Sequence, residues 1–204
     1  MEALQGFVFA LIPGERPPPV AKFTGGAIRM RALRTVVYGG LGIALVMLGT
    51  LIIRYPLPAT GGYVNVGDTF IFALAALFGP YLGMIAGGIG SALADLIAAP
   101  VFAPFTLVVK GLEGLIAGWL AHRRLVARTG RITWQTALSF VAAAAWMVVG
   151  YQFTYRILGS WGTALASLPG DAIQGLSSTI LGLLLTGALA RVLLARTRGQ
   201  AGGG

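Results

Sequence analysis

Residues 68–100 read DTFIFALAALFGPYLGMIAGGIGSALADLIAAP. Between Asp68 and Asp95 this stretch carries no charge, and Gly79-Pro80 divides it into two apolar runs. Glycine frees the turn, and proline cannot extend the hydrogen bonds of a preceding helix, so the pair marks a helical hairpin. In the second run Gly83, Gly87, Ser91 and Asp95 recur every four residues. That is helical spacing, and small side chains so placed let another helix backbone approach closely. The stretch predicts two packed helices.

The composition is the same outward from the hairpin. The chain has 204 residues, 56% hydrophobic and 10% charged, with a mean hydropathy of +0.82. A soluble domain carries about 25% charged residues. Residues 35–53, 132–155 and 172–190 hold no charge, and each is about long enough to cross a hydrocarbon core as a helix. No period-2 alternation supports a barrel. The sequence therefore predicts an all-α integral membrane protein with six transmembrane helices, at about 33–53, 68–79, 81–98, 103–122, 132–156 and 168–194. Residues 1–29 are expected to be a poorly ordered N-terminal extension, with Met30 a second candidate start. Residues 30–196 form the membrane domain and 197–204 a disordered tail.

Basic residues orient this arrangement. Arg29, Arg31 and Arg34 precede the first helix, Arg123, Arg124, Arg128 and Arg131 lie between the fourth and fifth, and Arg191, Arg196 and Arg198 follow the sixth. Arg54 and Arg156 fall on the other face. The positive-inside rule then predicts both termini in the cytoplasm. The net charge of +9 is explained by these helix ends and the lipid bilayer, with no nucleic acid.

Ionisable groups at membrane depth are costly and mark candidate function. They are Asp68, Asp95, Lys110, Glu113 and Asp171, and all lie in the outer half. Asp68 is expected to cap the second helix, and Asp171 with Gln174 has capping-box spacing at the sixth. Lys110 and Glu113, three apart, can neutralise each other, and Asp95 can reach Lys110 from the antiparallel neighbour. Any of them can instead contact a solute. Helix five adds Trp146, Tyr151, Gln152 and Tyr155. Tyr155 suits an interfacial belt, whereas Trp146 is too deep for one.

Gly111, Gly114 and Gly118 form a second small-residue stripe, and Gly40 with Ala44 a third. The first two are expected to pack internally. The third, on an end helix, suits a partner equally well.

Catalytic chemistry is not legible. The chain has no cysteine, and its one histidine, His122, stands beside Arg123 and Arg124. It contains no HExxH pair, no GxSxG elbow and no phosphate-binding loop. No enzyme, cofactor or metal site is expected.

The segments RYPLP and GGYVNVGDTFIFALAALFGPYLGMIAGGIGSALADLIAAP, with FTLVVKGLEGLIAGWLAHR after them, resemble the S components of energy-coupling factor (ECF) transporters. The likeness covers about 30–194 and is nearest the riboflavin, hydroxymethylpyrimidine or pyridoxine-like branch. It implies a vitamin-binding subunit of the bacterial plasma membrane that docks on a transmembrane T subunit and two ABC-type ATPases. Gly40 and Ala44 match the docking spacing, with glycine where an alanine is usual. The resemblance also implies that the loop holding Gly62-Tyr63-Val64-Asn65-Val66-Gly67-Asp68 lids the solute site.

On that footing an aromatic solute stacks on Trp146 or Tyr151, while Tyr63, Asn65, Gln152, Asp171 and Gln174 meet its polar edge. Lys110 and Glu113 join the substrate-binding set or pair only with each other. An alternative is a solitary ion-coupled transporter with Asp95, Lys110 and Glu113 as a proton relay. A structural membrane protein would bind no small ligand.

Overall fold

The computed structural model describes residues 25–121, 126 and 131–201. His122, Arg123, Arg124 and Arg128 lie outside the described residues, as do 1–24 and 202–204. The chain divides into two units, 1–36 and 37–204. The described part of the first is the helical start of α1. All contacts below belong to the second.

Six main helices and one hairpin make up the described residues: α1 (Gly25–Ile52), β1 (Arg54–Leu57), β2 (Gly62–Asn65), α2 (Gly67–Phe78), α3 (Pro80–Ala98), a 3-10 turn (Pro100–Phe102), α4 (Ala103–Leu120), α5 (Trp134–Leu158) and α6 (Trp161–Ala201). The predicted helical hairpin is present. Gly79 adopts φ +112°, a conformation that only glycine takes readily, and Pro80 opens α3.

Four expectations are corrected. Residues 54–65, taken as a loop, form an antiparallel hairpin in which Arg54 pairs with Asn65 and Leu57 with Gly62. The last helix starts at Trp161 rather than near 168, with Pro169 inside it. Ser160 caps its start, its Oγ accepting from Thr163 N at 3.2 Å. Asp171 and Gln174 are therefore well inside α6 and form no capping box. Asp68 is no cap either, because Val66 precedes α2 and no side chain caps it.

Packing follows the small-residue stripes. A Cβ on Gly87 would stand 2.7 Å from Lys110 O, and one on Gly88 2.8 Å from Leu107 O. Backbone thus meets backbone between α3 and α4. Phe72 of α2 stacks on Phe140 of α5 with ring centroids 4.8 Å apart, and α6 passes both at Gly182.

The outer surface is apolar: Ile52, Leu96, Phe153 and Leu184 are all more than half exposed, while Asp68, Lys110 and Glu113 are buried. This inversion of a soluble protein suits a hydrocarbon surround. Four helical segments, Pro80–Ala98, Pro100–Leu120, Trp134–Leu158 and Trp161–Ala195, are long and apolar enough to cross a membrane. Val36–Ile52 and Gly67–Phe78 are shorter apolar helices. The chain is an all-α, multi-pass membrane protein.

Candidate functional site

Polar side chains that are far apart in sequence converge beneath the β1–β2 hairpin. Lys110, from the middle of α4, reaches Asp68 Oδ1 at 2.5 Å and Glu113 Oε2 at 3.0 Å. All three side chains are sealed from solvent. The Glu113 contact is one of charge, since neither of its oxygens has an aligned hydrogen bond. The other oxygen of Asp68 accepts from Gln174 Nε2 at 2.8 Å. Gln174 then uses its Oε1 to accept from the backbone N of Asn65 at 2.8 Å. The chain of contacts thus runs from α4 through α2 and α6 to the hairpin.

A second chain fastens the hairpin to α3. Tyr63 of β2 donates to Asp95 Oδ1, and Thr106 of α4 donates to Asp95 Oδ2 at 2.5 Å. Tyr151 lies 2.9 Å from the same threonine hydroxyl. Burial first, and the Asp95 carboxylate second, push the Tyr63 phenol well above its ordinary range, so it stays a donor. Asp95 therefore does not pair with Lys110, contrary to the sequence expectation. Asp68, whose position as an apparent cap hid it, is the closer partner.

Glycine is required here by crowding. A Cβ on Gly62 would collide with the Tyr155 hydroxyl, and one on Gly67 would lie 2.8 Å from Asn65 Oδ1. That oxygen already accepts from Gly67 N at 2.8 Å, which fixes the bend from β2 into α2. Gly61, with φ +69°, reverses the hairpin loop.

These elements enclose a cavity whose interior is about 20 Å³, room for a water or two. Of the expected site residues, Tyr63, Asn65, Lys110, Tyr151, Asp171 and Gln174 line it. Glu113, Trp146 and Gln152 do not. Glu113 sits behind Lys110, Trp146 spends its Nε1 on Val109 O at 3.1 Å, and Gln152 supports Asp171 at 3.1 Å. The cavity is also lined by Asp95, which the sequence offered as an ion-pair partner or a solute contact, and by Thr106 and Tyr155, which sequence reasoning left out of the site. Thr106 falls four residues past the Pro100–Phe102 turn and four before Lys110, a helical register that places it one turn outside the lysine. Tyr155 lies four after Tyr151, so the two rings share one face of α5.

Two buried hydroxyls on the cavity wall, Thr50 Oγ1 and Ser91 Oγ, have no hydrogen-bond partner among the described residues. An unmet buried hydroxyl costs on the order of 1–3 kcal/mol. Such groups stand ready for a polar guest.

Gly40 and Ala44 lie on the outer face of α1, and a Cβ on Gly40 would meet nothing within 4 Å. Gly42 of the same helix faces inward, toward Ala86 and Leu74.

Comparison with known proteins adds the following. The family described as "ECF-type riboflavin transporter, S component" matches residues 30–191. An uncharacterized protein of Pyrococcus woesei is 43% identical over 137 residues, 67% of this chain and 88% of that protein. A UPF0397 protein of Lactiplantibacillus plantarum is 30% identical over 185 residues, 84% of this chain and 93% of its own. The thiamine precursor transporter HmpT of Lactococcus lactis subsp. cremoris is 27% identical over 147 residues, 71% and 80% of the two chains.

Proposed function

The chain belongs to the ECF-type riboflavin transporter S component family, and from that premise we propose that it captures a small heterocyclic vitamin or vitamin precursor for uptake. The observation that carries this reading is the polar-lined cavity under the hairpin, with its orphan hydroxyls Thr50 and Ser91. The solute enters from outside, its ring against Tyr151 and its polar edge toward Tyr63, Asn65, Asp171 and Gln174. Lys110 holds the electrostatic frame through Asp68 and Glu113, with donors of its ammonium left for the solute.

An interior of about 20 Å³ is far below the several hundred Å³ that ligand pockets typically offer. Capture therefore requires the hairpin to part from the helices. Its fasteners are few: Tyr63 to Asp95 and Asn65 to Gln174. The amide bond typically contributes about 1 kcal/mol net and the bond to the Asp95 carboxylate about 1.5–3 kcal/mol, a loss that solute contacts can replace.

In this reading six helices cross the plasma membrane with both termini in the cytoplasm. A transmembrane T subunit docks on the Gly40–Ala44 face of α1, and two ABC-type ATPases drive release inward. Uptake of radiolabelled riboflavin or aminopyrimidine by a host lacking its own S components tests it. Uptake that needs the T subunit and ATPases supports the reading. Uptake without them favours the ion-coupled alternative, with the buried Asp68, Lys110 and Glu113 as its charged core.

A further inference from the structure

Two carboxylates line the cavity, Asp95 and Asp171, and they differ in how far the protein satisfies them. Asp95 is used at both oxygens, by Tyr63 and by Thr106. Asp171 is used at one. Its Oδ2 accepts from Ser167 Oγ at 2.9 Å and from Gln152 Nε2 at 3.1 Å. No hydrogen bond reaches its Oδ1 from the described residues, although the side chain is only 5% exposed. Asp68, just behind the wall, is used at both oxygens, by Lys110 and Gln174.

We propose that Asp171 selects the solute by accepting a ring or exocyclic N–H at its Oδ1. Two donors on Oδ2 fix the carboxylate in place, so the free oxygen is a positioned acceptor that loses little freedom on binding. A carboxylate oxygen has only acceptor capacity, so it rewards a donor and leaves a solute without one facing an unpaired buried charge. Lys110 makes its ion-pair contacts with Asp68 and Glu113 and gives Asp171 Oδ1 no hydrogen bond. The substrate class is thus a heterocycle that presents N–H to α6, such as an aminopyrimidine or the imide edge of a flavin. This inference rests on the proposed function and names the chemistry of the same site.

The test uses the full chain in detergent and two matched pairs of probes. One is 4-amino-5-hydroxymethyl-2-methylpyrimidine with its deamino analogue; the other is riboflavin with 3-methylriboflavin. Each second member lacks the N–H. Calorimetry should show one parent bound, and its partner weaker by tenfold or more. In Asp171→Asn the side chain keeps its size and its carbonyl can still accept from Ser167 and Gln152, but the free position becomes a donor. The ratio should then fall to threefold or less, while any purely steric effect of the added methyl would persist. Equal binding within the pair by the native chain, or a ratio that survives Asp171→Asn, overturns the role of Asp171 and leaves vitamin binding standing. Failure of both parents to bind the native chain overturns vitamin binding and the role of Asp171 together.

Discussion

Lys110 of α4 and Asp68 of α2 form an ion pair of 2.5 Å with neither side chain exposed. The pair joins two helices that the loop residues 99–102 and all of α3 separate in the chain. Such a pair is held by completeness, since removing one partner strands a charge in a dry interior. Lys110→Met leaves Asp68 and Glu113 facing each other and should cost about 3–5 kcal/mol. Combining Lys110→Met with Asp68→Asn and Glu113→Gln should regain most of that loss. Thermal unfolding in detergent checks both; equal loss in the single and triple variants would show that the charges are not the cause.

The α3–α4 contact depends on absent side chains. Gly88→Ala places a Cβ 2.8 Å from Leu107 O and 3.2 Å from Gly111 Cα, so the helices must separate. Gly40→Ala places one in open space. Unfolding temperature should drop clearly for the first, by overpacking of about 1–3 kcal/mol, and change little for the second. If the bulkier Gly40→Leu abolishes co-purification with a T subunit while leaving unfolding little changed, the outer face of α1 is the docking surface.

Trp146 was expected, with Tyr151 as the alternative, to be the stacking platform, but its indole donates to Val109 O on α4 and does not line the cavity. Trp146→Phe should lower stability by about 1 kcal/mol through that lost bond, with solute affinity changed less than threefold. Tyr151→Ala, which removes a cavity wall, should weaken binding at least tenfold. Calorimetry on the two variants separates the roles.

Tyr63 links the hairpin to Asp95 as a neutral phenol. Its folded pKa lies above the unfolded value of about 10 because of burial and then Asp95. The stability it contributes is therefore fully present below pH about 10 and lost only as pH rises through the folded value. The Tyr63 phenol stays protonated from pH about 6 to 9, and Tyr63→Phe should speed solute release at every pH in that range. Stopped-flow dissociation measures it.

Much of this was legible in the chain. The helix runs follow from apolar length, and the packing of α3 on α4 from glycines four apart. The Lys110–Glu113 contact follows from helical spacing. The hairpin was not legible, because Pro56 and a run of only four residues per strand give little β signal. The start of α6 was missed because Pro169 resembles a first-turn proline, while the real cap, Ser160 with Thr163, is a quiet signal. That error turned Asp171 and Gln174 into caps. Placed mid-helix they line the cavity, and the partners of Gln174, Asn65 and Asp68, are more than a hundred residues away, beyond any local pattern.

The most direct test of the account is mass spectrometry of small molecules released when detergent-purified full chain is denatured. The account predicts one heterocyclic vitamin or precursor, near one per chain and carrying an N–H donor. An empty protein that neither riboflavin nor an aminopyrimidine stabilises against heat would contradict it.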